Sequence, residues 1–296
     1  MDRKALYSQC ELCARRCRVD RTDGRIGYCK SSSAPKITRA ALHLWEEPII
    51  SSDRGSGTIF FSGCSLGCVY CQNRAISRSG VGREVTDGEL ADIMLELEGQ
   101  GAHNINFVTP THFAPDIIEA IAIARSRGLT VPIVYNTGSF DTVDTIRMLE
   151  GTVDIYLPDL KYYKERTAAS LSYAESYPDV AWNAIAEMVR QHPEPVIENG
   201  VMLSGVIVRI LLLPGHVAEA KLNLKRLYDT YGDRIFISLM NQYTPMPGMS
   251  APLDRKVTKS EYADLIDYAE RLGVTNAFIQ EDGTQSESFI PEFYTE

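Results

Sequence analysis

The sequence predicts an α/β fold built on a parallel sheet. Three observations carry that prediction. From Gly57 onward, short apolar runs of strand length alternate with longer runs of helical periodicity. The strand-like runs are rich in β-branched and aromatic residues, as buried strands are. The residues just past each run are polar and chemically equipped, as at the carboxyl ends of parallel strands. Strand–helix alternation implies right-handed crossovers. Six or seven such units are fewer than the eight of a closed barrel. Periodicity alone also allows a doubly wound open sheet.

In chain order, a cysteine-rich stretch comes first. Cys10, Cys13, Cys17 and Cys29 are spaced CxxCxxxC, then eleven residues, then Cys. The stretch lacks apolar periodicity and so has no core of its own. Four thiolates around a metal would supply the missing stability. Structural zinc fits these ligands, and so does an auxiliary [4Fe–4S] cluster. Arg15, Arg16, Arg18, Arg21 and Arg25 lie among the cysteines. They read as a solvated loop face, with steering of an anionic partner as the alternative. Gly24 and Gly27 shape a turn before Cys29. Residues 31–35 are linker-like, and residues 36–44 alternate enough for a hairpin or edge strand. Residues 1–50 are therefore expected to form a Cys-rich metal-binding segment, and residues 51–296 the main domain.

The first core strand is expected at 57–62. After it, Thr86 and Glu89 form a capping box, and Leu90, Ile93, Met94 and Leu97 follow at helical spacing. A strand at 104–108 precedes a helix lined by Ile117, Ile118, Ile121 and Ala124 that stops at Gly128. The third strand is 131–135, followed by a helix over about 141–150. The fourth is 153–157, followed by helical sequence over about 162–192 in which Pro178 suits a first turn. Strand five (206–213) leads to a helix from Val217 to Gly232. Strand six (234–239) leads to a helix capped by Thr258 and Glu261 and ended by Gly273. A further strand is expected at 276–280.

The chemistry gathers at the strand ends. After strand one come Cys64, Cys68 and Cys71, spaced CxxxCxxC, with Gly63 and Gly67 allowing the loop to wrap closely. Thiolates clustered this way suit soft metals or an iron–sulfur cluster. A cubane cluster has four irons and this loop offers three sulfurs, so one iron is left without a protein ligand. An open coordination site on a metal is where substrate chemistry occurs. A zinc knuckle normally shows paired CxxC arms, and inert buried thiols rarely cluster. After the later strands come Thr109-Pro110-Thr111-His112, Asn136-Thr137-Gly138, Asp159 and Lys161, Arg209 with Pro214-Gly215-His216, and Asn241-Gln242-Tyr243.

The stretch 63–73, GCSLGCVYCQN, resembles the cluster loop of radical S-adenosylmethionine enzymes, and most closely the pyruvate formate-lyase activating enzyme group. The resemblance covers about residues 57–282. It implies an open partial (β/α)6 barrel of the radical S-adenosylmethionine type. It also implies a [4Fe–4S] cluster on Cys64, Cys68 and Cys71, with S-adenosylmethionine chelating the free iron. In that superfamily the reduced cluster yields a 5′-deoxyadenosyl radical, which takes a hydrogen atom from a substrate. An oxidoreductase of this kind needs a reductant such as flavodoxin or ferredoxin. Its substrate would be a glycine on a glycyl radical enzyme, another polypeptide, or a small molecule. A non-catalytic iron–sulfur or zinc protein is the other reading, though an electron carrier normally saturates its cluster with four protein ligands.

A cofactor carrying a sulfonium, a ribose and an adenine needs donors and acceptors from several strands. Asp159-Leu160-Lys161 resembles the family's Asp-x-Lys beside the cofactor carboxylate, where the Asp can help hold a monovalent cation. Val208-Arg209 with Leu213-Pro214-Gly215 resembles the strand whose Arg meets that carboxylate. Asn136-Thr137-Gly138 falls where the ribose contacts lie. The chain departs in two places. Thr109-Pro110-Thr111 replaces the family's Gly-Gly-Glu, although a backbone carbonyl can still accept from the ammonium. Asn241-Gln242-Tyr243-Thr244-Pro245 replaces a His-bearing segment. The implied cofactor contacts are Thr109, Thr111, Asn136, Thr137, Asp159, Lys161, Arg209, Asn241 and Gln242. His112, His216, Tyr243 and Met246 are candidate pocket walls, and residues 244–252 a candidate lid.

Composition bounds the rest. The 296 residues are 44% hydrophobic and 23% charged, enough for one large α/β domain with a small appendage. No run approaches the roughly 20 apolar residues of a membrane span. The polar N-terminus does not read as a signal peptide, so none is expected. Seven cysteines without such a signal point to a reducing, cytoplasmic setting and to metal ligation. A net charge of −9 argues against non-specific nucleic-acid binding, which needs clustered Lys and Arg.

Overall fold

The computed structural model describes residues 2–280, so residues 281–296 of the expected main domain lie outside the described residues. The helices are α1 (Arg3–Ser8), α2 (Pro48–Ser51), α3 (Arg74–Ser77), α4 (Asp87–Gly99), α5 (Ala114–Ser126), α6 (Val143–Met148), α7 (Glu165–Ser172), α8 (Tyr177–Gln191), α9 (Val217–Tyr231) and α10 (Lys259–Leu272). The strands are β1 (Lys36–His43), β2 (Ser56–Phe61), β3 (Arg83–Glu84), β4 (Ile105–Val108), β5 (Ile133–Thr137), β6 (Ile155–Pro158), β7 (Val196–Glu198), β8 (Val201–Leu211), β9 (Phe236–Met240) and β10 (Ala277–Ile279).

One sheet runs β10-β9-β8-β6-β5-β4-β2-β1-β3, with β7 paired to β8 off this path. Every neighbouring pair from β2 to β10 is parallel. β1 lies antiparallel on β2, and β3 antiparallel on β1. The path has two ends among the described residues, so the sheet is an open partial barrel and does not close on itself. The expected strands and helices form where the hydrophobic periods place them. Both capping boxes form: Thr86 caps α4 through Glu89, and Thr258 caps α10 through Glu261. The helix expected from 141 starts later, at Val143. Asp141 instead turns inward and accepts the Tyr135 and Thr137 hydroxyls at 2.9 and 2.6 Å. Thr142 then caps the helix.

The period of two along the strands divides the sheet into two faces. Ile59, Phe107, Tyr135, Tyr156 and Val206 share one register row. They belong to the large apolar cluster that includes Leu90, Ile117 and Ile185 from the helices. The alternate residues face the barrel interior. There Val134, Ile155, Leu157, Met202 and Ile207 close on Ile50 of α2. The connection between β1 and β2 thus enters the open barrel from the amino ends of its strands and plugs the lower half. Asn104 Nδ2 donates to the Ile50 carbonyl at 2.8 Å, and the Glu46 amide donates to Ser51 Oγ at 3.0 Å. Ile50 is fully buried. Ile50→Ala is expected to cost about 3 kcal/mol, since it empties a site walled by five rigid side chains from β5, β6 and β8. Urea denaturation measures it, and a loss below about 1 kcal/mol would mean that α2 is not a packed plug.

The N-terminal segment is bound to the barrel by polar contacts. Ala14 N donates to the Phe140 carbonyl at 3.0 Å, and Thr145 Oγ1 to the Leu12 carbonyl at 2.8 Å. Arg3 bridges Asp87 and Asp116. Tyr7, Cys10 and Leu12 make a small buried cluster of their own.

Candidate active site

The cysteine loop leaves β2 at its carboxyl end. Gly63 has φ +88°, and a Cβ there would sit 2.3 Å from the Cys29 carbonyl oxygen. Only glycine lets the two backbones approach this closely. The Cys64 amide donates to that same carbonyl at 3.2 Å. Each sulfur has a donor: the Leu66 amide to Cys64 at 3.4 Å, the Ser172 hydroxyl to Cys68 at 2.9 Å, and the Ser77 hydroxyl to Cys71 at 3.6 Å. Behind Ser172, the hydroxyls of Tyr162 and Tyr70 continue the hydrogen-bond chain. Donors to sulfur tune a cluster's potential. The three thiols also feel one another. Burial, then the charges of Cys68 and Cys64, push the Cys71 thiol up to about 12.

The N-terminal segment clamps this loop. Arg15 donates from Nε to the Ser65 carbonyl at 2.8 Å and from Nη2 to the Leu66 and Ser172 carbonyls at 2.9 and 3.0 Å. Tyr28, whose ring lies 3.9 Å below the Arg15 guanidinium, donates to the Leu66 carbonyl. Arg21 is fully buried between the rings of Tyr7 and Phe113 and donates to the His112 carbonyl at 2.7 Å. The solvated-face reading of the arginines therefore holds for Arg16, Arg18 and Arg25 but not for Arg15 and Arg21. An arginine that donates to backbone carbonyls of a distant loop leaves no mark in its local sequence.

The four N-terminal cysteines converge. A Cβ on Gly27 would lie 3.1 Å from Cys17 Sγ and 3.7 Å from Cys29 Sγ, so the glycine keeps the space between two sulfurs open. Arg21 Nη1 reaches Cys10 Sγ at 3.5 Å. Burial, and then the charges of Cys29, Cys10 and Cys17, push the Cys13 thiol up to about 12. Protonated thiols crowded this way are relieved by a cation that takes them as thiolates. Among the described residues no three Cys, His or carboxylate side chains already stand in metal-ligand arrangement.

Beside the central loop lies a cavity of about 450 Å³. It fills the upper half of the barrel, above the α2 plug. Successive inward register rows supply its wall: Phe60, Val108 and Asn136, then Asp159, Arg209 and Ser238, then Leu211 and Met240. Gln72 and Asn73, just past Cys71, complete the side next to the thiols. A charge network crosses the wall. Arg209 donates to Asp159 at 2.8 Å and to Asn136 at 2.6 Å, and lies 3.4 Å from Glu46. Lys161 donates to Asp159 at 2.6 Å. Burial works to raise the Asp159 carboxyl, but Arg209 and Lys161 together hold it below its usual range. For Lys161 burial works downward, and Asp159 and Cys68 outweigh it and raise the ammonium.

Of the nine expected cofactor contacts, Asn136, Asp159, Lys161, Arg209 and Gln242 line this cavity. Thr109, Thr111, Thr137 and Asn241 do not. Thr137 is turned to Asp141, with Thr111 Oγ1 3.5 Å from its hydroxyl, and the Asn241 amide donates to Gln280. None of the four candidate pocket walls lines it either. His112 is buried against Phe113 and bonded to the Ser62 carbonyl, His216 borders a separate small recess, and Tyr243 is buried with its hydroxyl on the Leu253 carbonyl. Two residues that the sequence reading passed over do line it: Glu46 and Glu47.

The profile of the radical SAM superfamily matches residues 58–222, more than half of the chain, and the chain belongs to that superfamily. An uncharacterized protein of Methanocaldococcus jannaschii is 27% identical over 281 residues, covering 90% of this chain and 76% of the relative. The crystal structure of Streptococcus suis SuiB bound to S-adenosylmethionine shares the fold, with a TM-score of 0.52 and 11% identity over 75% of this chain. The chain spans about half (49%) of the length of SuiB. A domain of pyruvate-formate lyase-activating enzyme from Bacteroides vulgatus overlaps 57% of this chain and 91% of that domain, at 13% identity and a TM-score of 0.42.

The donor set fits the group that the superfamily implies. Three thiols with hydrogen-bond donors already on their sulfurs lie next to a polar cavity that carries an ammonium and a guanidinium. Lys161 lies close enough to the loop for Cys64 and Cys68 to feel its charge.

Proposed function

We propose that the chain is a radical S-adenosylmethionine enzyme in which Cys64, Cys68 and Cys71 hold a [4Fe–4S] cluster. When bound, the cluster and S-adenosylmethionine supply a 5′-deoxyadenosyl radical that takes a hydrogen atom from a substrate. The observation that carries this reading is the three-thiol loop opening beside a cavity whose wall holds Lys161 and Arg209. The protein's own residues bind, orient and exclude water. Lys161 and Arg209 offer cations to the cofactor carboxylate, while Asp159 holds both in place. Asn136 and Gln242 offer amide groups to its ribose. Thr109, Thr111, Thr137 and Asn241 act one layer out, by fixing the loops at the strand ends. Ser172 and Ser77 stabilise thiolate at Cys68 and Cys71.

Cys10, Cys13, Cys17 and Cys29 hold a second metal, either structural zinc or an auxiliary [4Fe–4S] cluster. The side left open among the described residues, between β10 and β3, would suit a glycyl radical enzyme's loop or another peptide, and equally a small molecule. A flavodoxin or ferredoxin would reduce the cluster. No described helix is long and apolar enough to cross a membrane. Anaerobic reconstitution with iron and sulfide, followed by dithionite and S-adenosylmethionine, is expected to yield 5′-deoxyadenosine. No such product, with zinc found on Cys64, Cys68 and Cys71, would sink the reading.

A further inference from the structure

The cavity floor is short of positive charge. Three acidic residues line it: Glu46 and Glu47 from the plug connection, and Asp159 just past β6. Among the described residues, Lys161 and Arg209 are the cations on the cavity wall. Asp159 takes Lys161 and the best-aligned edge of Arg209, and Glu46 shares Arg209 at 3.4 Å. Glu47 is left over. The residue is only 7% exposed. The Ser238 hydroxyl bonds its carboxyl group, yet among the described residues Oε2 has no hydrogen-bond partner. A buried carboxylate oxygen without a donor is costly unless something brings one.

We propose that Glu46 and Glu47 form a cation subsite that holds a protonated amine of the substrate. That the ligand is a substrate rests on the radical-enzyme reading above; that the site takes an organic cation rests on the geometry. S-adenosylmethionine's own amino group is committed elsewhere under that reading, to the open iron. The subsite lies at the base of the cavity, separated from the loop side of the wall by Asp159 and Lys161. A substrate seated by its amine on the plug would extend upward toward the thiol loop. This places its carbon chain, not its charged end, at the reacting side.

Charge on the subsite depends on pH. Burial pushes the Glu47 carboxyl up to about 7, against the pull of Arg209 and with the added charge of Glu46. The groups that face it are Glu46 from its own connection, His43 from the end of β1, Arg209 from β8, Asp159 and Lys161 from the loop after β6, and Ser238 from β9. Below pH 7 an arriving ammonium must displace a proton; above it, none. Binding should therefore tighten as pH rises from 6 to 8, by up to about tenfold per pH unit on the acid side.

The test is calorimetric titration of the reconstituted protein, without reductant, using n-butylammonium, n-propylguanidinium and neutral n-butanol. Butylammonium is expected to bind and butanol not. Glu47→Gln should weaken butylammonium at least tenfold, and Glu46→Gln should weaken it less. Glu47→Gln is isosteric, and its thermal melt reports whether it folds. Its melting temperature should not fall, because a buried charge is removed. Equal binding of butylammonium and butanol would overturn the proposal, as would full affinity in Glu47→Gln. So would preferred binding of propylguanidinium or of Mg²⁺. S-adenosylmethionine affinity that drops in Glu47→Gln while butylammonium fails to bind would show that the acids serve the cofactor. Because no turnover is needed, loss of amine binding and loss of 5′-deoxyadenosine formation are read separately.

Discussion

Cys68→Ala is expected to abolish 5′-deoxyadenosine formation, by at least about a thousandfold, with loss of the cluster's visible absorbance. Replacing a thiolate ligand by a methyl group leaves two sulfurs, and the Ser172 hydroxyl that donates to Cys68 loses its acceptor inside a buried site. The same holds for Cys64→Ala and Cys71→Ala. The informative contrast is Cys10→Ala. Its metal content should fall by the occupancy of one site while the three-thiol loop still loads. Its thermal stability should fall too, because the Cys29 carbonyl and the Arg15 and Tyr28 side chains hold that loop from the N-terminal segment. Full metal content in Cys10→Ala would remove the second site. A Cys68→Ala protein that still forms product would remove the first. Iron and zinc analysis of the two variants side by side separates these outcomes.

The same contacts show why some features were legible in the sequence and others were not. β2, β5 and β6 were readable because they are buried along their whole length, so most of their residues are apolar or β-branched. The α4 and α10 starts were readable because a capping box is local chemistry, three residues wide. The plug was not. Pro48–Ser51 is a single helical turn, too short to show a period, and it is helical because Ile50 is gripped by side chains from β5, β6 and β8. Glu46 and Glu47 read as a polar loop for the same reason, since burial of a charged pair is a tertiary fact. Position after an expected strand led to Asn136, Asp159 and Lys161, which line the cavity. It misled for His112 and Tyr243. Both follow strands, but their rings pack against Phe113 and Tyr70 on the covered side.

Asp159→Ala is expected to destabilise the fold by about 3 kcal/mol and to weaken S-adenosylmethionine binding roughly tenfold. Asp159 is the anion that both Arg209 and Lys161 share, at 2.8 and 2.6 Å. Its removal leaves Lys161 unpaired next to the thiols, while Arg209 retains Asn136 and the more distant Glu46. Breaking a buried pair costs most because the remaining charge has no compensation. The retained partners of Arg209 put the loss at the low end of that range. The pH dependence has a definite sign. A carboxyl held below its usual range stabilises the fold above the unfolded value of about 3.9, and that contribution fades as pH falls through it toward the folded value. The wild-type advantage over Asp159→Ala should thus be full at pH 7 and shrink below about pH 4. Asp159→Asn keeps the shape and one acceptor, so its cost should be intermediate. Urea titrations of the three proteins at pH 7 and pH 4, with cofactor titration at pH 7, measure all of this. Equal stability of wild type and Asp159→Ala at pH 7 would show that the two cations find other partners, and that the cavity wall is not organised around this carboxylate.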